Sequence, residues 1–171
     1  MTKPFNTNYR KIKLPKSRHE AEEFSSKMGL IFCGDCRAVF YKKSWHHSTI
    51  NLKSVKESSA VNFVLCPACQ MIKNHQFEGQ IIIQNIPLAE MGELVNLIKG
   101  YCDRAYQKDP LDRLITIKRT GDSLAVTTTE NQLANKLAKK IKDAFNKVKT
   151  KTSFQKAPGD LARVVVEFLE K

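Results

Sequence analysis

Residues 31–47 form the stretch IFCGDCRAVFYKKSWHH, and residues 64–75 form the stretch VLCPACQMIKNH. Each stretch holds a pair of cysteines separated by two residues. The four cysteines are Cys33, Cys36, Cys66 and Cys69. Two C-x2-C pairs this close in sequence are typical of a four-thiolate zinc site, because each turn can direct two sulfurs at one ion. We therefore predict a Zn²⁺ ion held by these four side chains.

The residues around the pairs agree with this prediction. Gly34-Asp35 and Pro67-Ala68, which lie between the sulfurs, suit tight turns. The spacer of 29 residues between the pairs is longer than the roughly 15–20 residues of simple ribbons, which predicts an additional hairpin or loop. His46, His47 and His75 lie close enough in sequence for one of them to replace a sulfur.

The alternative functions of the cysteine pairs are less well supported by the sequence. A thioredoxin-like redox site needs one C-x2-C pair between a strand and a helix, whereas two pairs occur here. Disulfides are rare in a reducing cytosol. A closed four-cysteine site leaves no open position for a substrate, so the zinc is expected to be structural. Cys102, the fifth cysteine, is predicted to be a small core residue.

The charge of the chain favours an anionic partner. There are 29 Lys+Arg against 17 Asp+Glu, which gives a formal net charge of +12. Such an excess suits nucleic acid or an anionic membrane surface. No apolar run approaches the ~20 residues that cross a bilayer, and no secretory signal is evident. We expect a cytoplasmic protein with no membrane partner.

The pattern along the chain predicts an α+β fold, with a four-cysteine zinc ribbon followed by a small antiparallel sheet covered by helices. The predicted domains are a basic arm (1–28), the zinc-ribbon module (29–80) and an α+β domain (81–171). In the last domain we expect two helix–hairpin pairs, which contribute four antiparallel strands. The hairpins turn at Gly121-Asp122 and Pro158-Gly159-Asp160.

The helix predicted after the first hairpin carries most of the local positive charge. Thr129 and Gln132 have the spacing of a capping box. The apolar stripe predicted for this helix consists of Leu133, Leu137, Ile141, Ala144, Phe145 and Val148. Seven lysines between residues 136 and 151 avoid that stripe. These lysines repel each other, and binding of a polyanion would reduce that repulsion. The alternative is that they form a solvated, lysine-rich surface.

We predict RNA contacts from three groups of basic residues. The arm contributes Arg10, Lys11 and Lys13; the zinc module contributes Arg37, Lys42, Lys43 and Lys73; the basic helix contributes Lys136, Lys139, Lys140 and Lys147. Aromatic residues between the cysteine pairs, Phe40, Tyr41 and Trp45, either stack on bases or pack around the metal.

Catalytic motifs are not evident. The sequence has no Gly-rich phosphate loop, no G-x-S-x-G and no H-E-x-x-H, and we expect neither an enzyme nor a small-molecule substrate. Two other classes stay open, namely a DNA-binding regulator and a protein adaptor or redox sensor that uses the cysteine pairs. The basic helix has asparagines but no arginine, which suits backbone contact better than base readout.

Several motifs together resemble a known family. CGDCRAVFYKKSW, LCPACQMIKN, EGQIII, DPLDRL and LAVTTTENQLA resemble the zinc-ribbon family related to the N-terminal part of nonsense-mediated-decay protein three, the export adaptor of the large ribosomal subunit. Short bacterial members look similar to residues 30–171. The resemblance implies zinc at the four cysteines and a partner in the ribosome or rRNA, in subunit maturation or stress protection. The adaptor's further cysteine pairs and its C-terminal part have no counterpart here, so export is not implied.

Overall fold

A computed structural model describes residues 30–41, 43–47, 61–155 and 161–169. These residues form two β-sheets and three helices, so the α+β class is confirmed. The chain divides into two compact units, Met1–Cys69 and Gln70–Lys171. The predicted boundary at 80/81 falls inside a strand that begins at Gly79. The predicted arm (1–28) lies outside the described residues.

The first unit contains a four-stranded sheet. Its strands are β1 (Leu30–Cys33), β2 (Val39–Tyr41), β3 (Ser44–His46) and β4 (Val61–Val64), in the order β3-β2-β1-β4. β2 and β3 form a hairpin in the spacer between the cysteine pairs, as the length of that spacer predicts. Trp45 is buried and packs on Phe40, with ring centroids 5.5 Å apart. Trp45 therefore belongs to the core of this sheet, not to an exposed stacking surface.

The second unit contains a five-stranded sheet and two long helices. After a short helix α1 (Pro67–Lys73) follow β5 (Gly79–Gln84), α2 (Met91–Lys108), β6 (Leu114–Thr120), β7 (Ser123–Thr128), α3 (Asn131–Ala144), β8 (Val148–Gln155) and β9 (Leu161–Phe168). The strand order is β6-β7-β5-β9-β8. The hairpin at Gly121-Asp122 is confirmed: Gly121 has φ 61°, as the first position of a type II′ turn requires.

The prediction of four antiparallel strands is wrong in two respects. There are five strands in this sheet, and β5 pairs in parallel with β9. The chain leaves α3 for the edge strand β8 and then returns between β8 and β5. Alternating residues identify a strand, but the choice of neighbour depends on contacts far apart in sequence.

One face of this sheet is buried beneath the helices. Ile81 and Ile83 of β5 lie opposite Val164 and Val166 of β9, and all four side chains are buried. The helices cover them with apolar stripes, which are Leu94, Ile98 and Cys102 of α2 and Leu133, Leu137 and Ile141 of α3. The core positions predicted for Cys102 and for most of the α3 stripe are confirmed.

Both ends of α3 differ from the prediction. The helix ends at Ala144, and Lys147 adopts the left-handed region (φ 55°) before β8 begins at Val148. Lys147 therefore lies in a turn, not on the helix. At the other end the capping box is wrong, because Glu130 occupies the N-cap position and the Thr129 hydroxyl donates to the carbonyl of Leu111 at 2.5 Å.

Among the parts of the chain that the structure describes, no helix has both the length and the apolar character needed to span a bilayer.

Candidate metal centre

The topology of the first sheet brings the two cysteine pairs together. β1 and β4 run parallel, with Cys33 in register with Val64. Parallel strands end at the same edge of a sheet. Cys33 is the last residue of β1, and Cys66 follows the end of β4 by two residues. The turn after β1 and the segment after β4 therefore meet at that edge, although 29 residues separate the pairs in sequence.

The first pair lies in a tight turn between β1 and β2. The backbone N–H of Cys33 donates to the carbonyl of Ala38 at 2.7 Å, and that of Arg37 donates to the carbonyl of Cys33 at 3.0 Å. The N–H of Gly34 donates to the carbonyl of Val64 at 2.9 Å, which ties the turn to β4. Arg37 has φ 63°, so the backbone turns in the left-handed region directly after the second cysteine. The tight turn predicted for this pair is confirmed.

The second pair lies at the start of helix α1 and not in a turn between two strands. Pro67 is the first helical residue, where its missing N–H removes no helical hydrogen bond. The N–H of Cys69 points back to the Cys66 sulfur at 3.4 Å, and the N–H of Cys66 points to the Cys33 sulfur at 3.3 Å. Backbone donors thus stabilise negative charge on these sulfurs.

The four sulfur atoms form one cluster. All four lie within 4.8 Å of one another, and the sulfurs of Cys36 and Cys66 are 3.7 Å apart. A tetrahedral zinc ion with Zn–S bonds of about 2.3 Å places its sulfurs about 3.8 Å apart. A disulfide would need about 2.05 Å, and all five cysteines are free thiols. The cluster could therefore hold a metal ion with four thiolate ligands.

The protonation of the cluster favours a cation. The pKa of Cys33 is strongly lowered because Cys36, Cys66 and Cys69 all hydrogen-bond to its sulfur. For Cys36 the largest single effect is the hydrogen bond with Cys33, which raises the pKa, but the hydrogen bonds with Cys66 and Cys69 together lower it to about 6. The pKa values of Cys66 and Cys69 are raised, chiefly by Cys33 and then by Cys36. A divalent cation would replace the protons that hold such a cluster together.

The predicted alternative of a histidine ligand finds no support. Among the described residues, the cluster that could hold a metal contains only the four cysteines. The Nε2 atom of His46 lies 3.1 Å from the Tyr41 carbonyl oxygen and 2.8 Å from the Ser44 hydroxyl. Because a carbonyl only accepts, the Nε2–H of His46 donates to the Tyr41 carbonyl, so this nitrogen has no lone pair for a metal.

The structure describes seven of the eleven residues predicted to contact RNA. Four of the eleven lie outside the described residues: Arg10, Lys11, Lys13 and Lys42. In the first unit Arg37 is exposed and Lys43 is half-buried with φ 71°. In the second unit the exposed predicted residues are Lys73, Lys136, Lys139, Lys140 and Lys147. Only three of these, Lys136, Lys139 and Lys140, share the outer side of α3, because Lys147 lies beyond the end of the helix.

The second unit also contains a groove that was not predicted from the sequence. It lies between α3 and the edge strand β8 and has a volume of about 400 Å³. Its lining residues are Asn135, Ala138, Lys139, Lys142, Asp143, Thr150, Thr152 and Val164. The signal for it in the sequence is weak: threonines occupy helix-facing positions of β8, where a fully covered strand would have apolar residues.

A group of carboxylates surrounds the start of α3. Burial, followed by the nearby charges of Glu78, Asp112 and Asp109, raises the pKa of Glu130 to about 7. Burial also raises the pKa of Asp112; Asp109 adds to this effect and Lys136 opposes it. The loop DPLDRL lies beside the start of the basic helix, because the Thr129 hydroxyl donates to the carbonyl of Leu111 and accepts from the N–H of Arg113.

Comparison of the chain with protein-family models finds no match, and comparison with curated proteins finds no significant match either. The family resemblance predicted from the motifs therefore stays a prediction. The cysteine cluster is supported independently by its own geometry.

Proposed function

We propose that the chain is a non-enzymatic, zinc-binding protein that associates with the ribosome or with structured rRNA. The observation that carries this proposal is the cluster of four cysteine sulfurs within 4.8 Å. Thiolate ligands in a tetrahedral arrangement select zinc among the common divalent ions, and four of them close the coordination sphere. The zinc would therefore be structural and would stabilise a small module related to zinc ribbons.

The first unit has a physical need for such an ion. Its described sheet consists of four strands of three or four residues each. Among its described residues, the buried apolar side chains outside the cysteines are few, chiefly Ile31, Ala38, Val39, Trp45 and Val64. A module with so small a core relies on a metal or on cross-links for stability. Zinc binding would supply that free energy of folding.

The RNA part of the proposal rests on charge and on the motif resemblance. The chain has a formal net charge of +12, and Lys136, Lys139 and Lys140 are exposed on α3. Lysines at such positions bind phosphate groups as point charges and make no demand on base sequence. The resemblance to the large-subunit adaptor family favours rRNA over DNA, with subunit maturation or stress protection as the setting.

Metal content and ribosome binding test the two parts separately. Elemental analysis should find about one zinc per chain, since four thiolates complete one tetrahedral site. A double variant, Cys66→Ser with Cys69→Ser, should lose the zinc, whereas the control Cys102→Ala should keep it. A zinc-free wild-type protein with freely titrating thiols would support the redox-sensor alternative and contradict the proposal.

Co-sedimentation with ribosomes over a range of salt concentrations tests the second part. Binding should weaken steeply with salt, because each neutralised phosphate contributes about 0.9 to the slope of log K against log salt. A triple Lys→Gln variant at residues 136, 139 and 140 should reduce that slope more than the matched control at residues 99, 108 and 118. Failure to sediment at low salt, or equal competition by plasmid DNA and rRNA, would contradict a ribosomal role.

A further inference from the structure

The groove between α3 and β8 has two chemically different walls. Lys139 and Lys142 lie along the helix wall, and Thr150 and Thr152 lie along the strand wall. Both lysines and both threonines are exposed, whereas Ala138 and Val164 of the groove lining are buried. The groove thus presents cationic groups and hydroxyls above a small apolar floor. Ammonium and hydroxyl groups together are donors that suit the oxygens of a phosphodiester backbone.

The register of the sheet explains why these threonines face the helix. Thr150 lies opposite Val166 and Thr152 lies opposite Val164, and both valines are buried beneath α3. Lys149 lies opposite Glu167, an exposed residue on the other face of the sheet. Successive side chains in a strand alternate between faces. The hydroxyls of β8 therefore belong to the helix side, and Lys149 belongs to the opposite side.

An exposed aromatic residue continues the strand wall. Phe154 follows Thr152 by two residues and lies opposite the buried Ala162, so it is on the same side of β8. Its side chain is 67% exposed, which is unusual for phenylalanine in a strand. An aromatic ring beside a cationic groove offers a surface on which an unpaired base can stack.

The two ends of the groove differ in charge. α3 ends at Ala144 and the chain turns back into β8 at Val148. Asp143, the only acidic residue of the lining, lies at this turn end of the helix, whereas Asn135 lies about two helical turns away from it. Anionic ligands are disfavoured next to Asp143 and favoured beside Lys139. A bound strand would therefore extend from the lysines towards the Asn135 and Phe154 end.

From this arrangement we infer that the α3–β8 groove binds single-stranded RNA, with Lys139 and Lys142 on successive phosphates and Phe154 stacked on an unpaired base. This inference rests on the proposed function and adds to it the contact surface and the form of the RNA. Thr150 and Thr152 would hydrogen-bond to phosphate or to the ribose 2′-hydroxyl, the group that distinguishes RNA from DNA. A rigid duplex keeps its bases stacked inside and cannot use the phenylalanine.

Fluorescence anisotropy with the full-length, zinc-loaded protein tests this directly. The probes are a labelled RNA strand of about 12 nucleotides, within the usual site sizes for single strands, its annealed duplex, and a DNA strand of the same sequence. We expect the single-stranded RNA to bind most tightly. Equal or tighter binding of the duplex or of the DNA strand would overturn the inference.

Matched variants locate the contact. The groove pair Lys139→Gln with Lys142→Gln should weaken binding more than the pair Lys99→Gln with Lys118→Gln, which removes the same charge at exposed positions outside the groove. In the groove pair, the slope of log K against log salt should fall by about 1.4, since each phosphate contact on a single strand contributes about 0.7. Equal effects of the two pairs would overturn the groove assignment.

Stacking has a separate test. Phe154→Ala should weaken single-strand binding about tenfold, within the range found when a base-stacking aromatic is truncated. Phe154→Tyr, which keeps an aromatic ring, should bind with the wild-type affinity. No change for Phe154→Ala would overturn the stacking contact. If ribosomes bind the wild type and every groove variant alike, the inference fails and the proposed function stands. If neither ribosomes nor any RNA probe binds the wild type, both fail.

Discussion

The carboxylate group at the start of α3 predicts a stability change that depends on pH. Burial and the carboxylates of Glu78, Asp112 and Asp109 raise the pKa of Glu130 to about 7 from its ordinary value of 4.5. The change to examine is Glu130→Gln, since a glutamine has the shape of a glutamic acid that never ionises. The N-cap position makes no side-chain capping hydrogen bond that this substitution would remove.

The sign follows from proton linkage. Because the pKa is higher in the folded protein, the native state holds its proton at pH values where the unfolded chain has released it. The wild type therefore loses stability as pH rises from about 4.5 to about 7. Below this window both states are protonated, and above it both are ionised, so the full penalty is present. Glu130→Gln should then stabilise the protein at high pH and change little at low pH.

The structure also limits the size of the effect. A pKa raised from 4.5 to about 7 corresponds to at most about 3.5 kcal/mol, at about 1.4 kcal/mol per pH unit. Glu130 is only half-buried, and solvent screens the repulsion of partly exposed charges. We therefore expect a gain of about 1 kcal/mol at pH 8.

Urea unfolding of wild type and variant at about pH 5 and about pH 8 measures this difference. Comparing two proteins at each pH cancels effects on the cysteine cluster, which both share. Glu93→Gln, an exposed carboxylate on α2, is the control and should stay within about 0.5 kcal/mol of wild type at both pH values. A variant less stable than wild type at pH 8 would refute the reasoning. It would mean that the positive N-terminus of α3 outweighs the neighbouring carboxylates.

Three further predictions concern the core. Cys102 is only 2% exposed in the core of the second unit, whereas chelation would remove the ion proposed to stabilise the module that holds the other four cysteines. A thiol-exchange titration after metal chelation should therefore count four fast thiols, with the fifth appearing only in denaturant. A Cβ on Gly79 would overlap the Thr128 hydroxyl, so Gly79→Ala should destabilise the protein by about 1–3 kcal/mol in urea unfolding. Gly92→Ala, which meets nothing within 4 Å, should be neutral or stabilising in the same assay. Thr129→Val leaves two backbone groups of the preceding loop without their partner and should lower stability by about 1–3 kcal/mol, while Thr129→Ser should not.

The cysteine cluster could be predicted because its chemistry is local. Two residues between cysteines are enough to direct both sulfurs to one ion, so the spacing alone identified the four residues that the structure brings within 4.8 Å. The surroundings of each pair could not be predicted in the same way. The helix at Pro67 and the left-handed backbone at Arg37 depend on how β1 and β4 pair across residues that are distant in sequence.

The basic helix demonstrates the limit of periodicity. Leu133, Leu137 and Ile141 were correctly predicted as core positions, because a helical repeat leaves few alternatives in the middle of a helix. Val148 fits the same repeat but is also the first residue of an alternating strand. The burial of Val148 is compatible with a helix and with a strand, and only its pairing with Phe168 of β9 decides between the two. Because the helix was predicted to continue to Val148, Lys147 was placed on a helix face, although it lies in a turn, and the groove was not predicted.

The sequence by itself determined the four clustered cysteines, the α+β class, the hairpin at Gly121-Asp122 and the apolar stripes of the helices. These features depend on the spacing of neighbouring residues, and that spacing is the same in any fold. The tertiary structure alone decided the parallel pairing of β5 with β9, the partner of the Thr129 hydroxyl and the groove beside β8. Each of these features depends on contacts between residues that are distant in sequence, and only the packing of the folded chain brings such residues together.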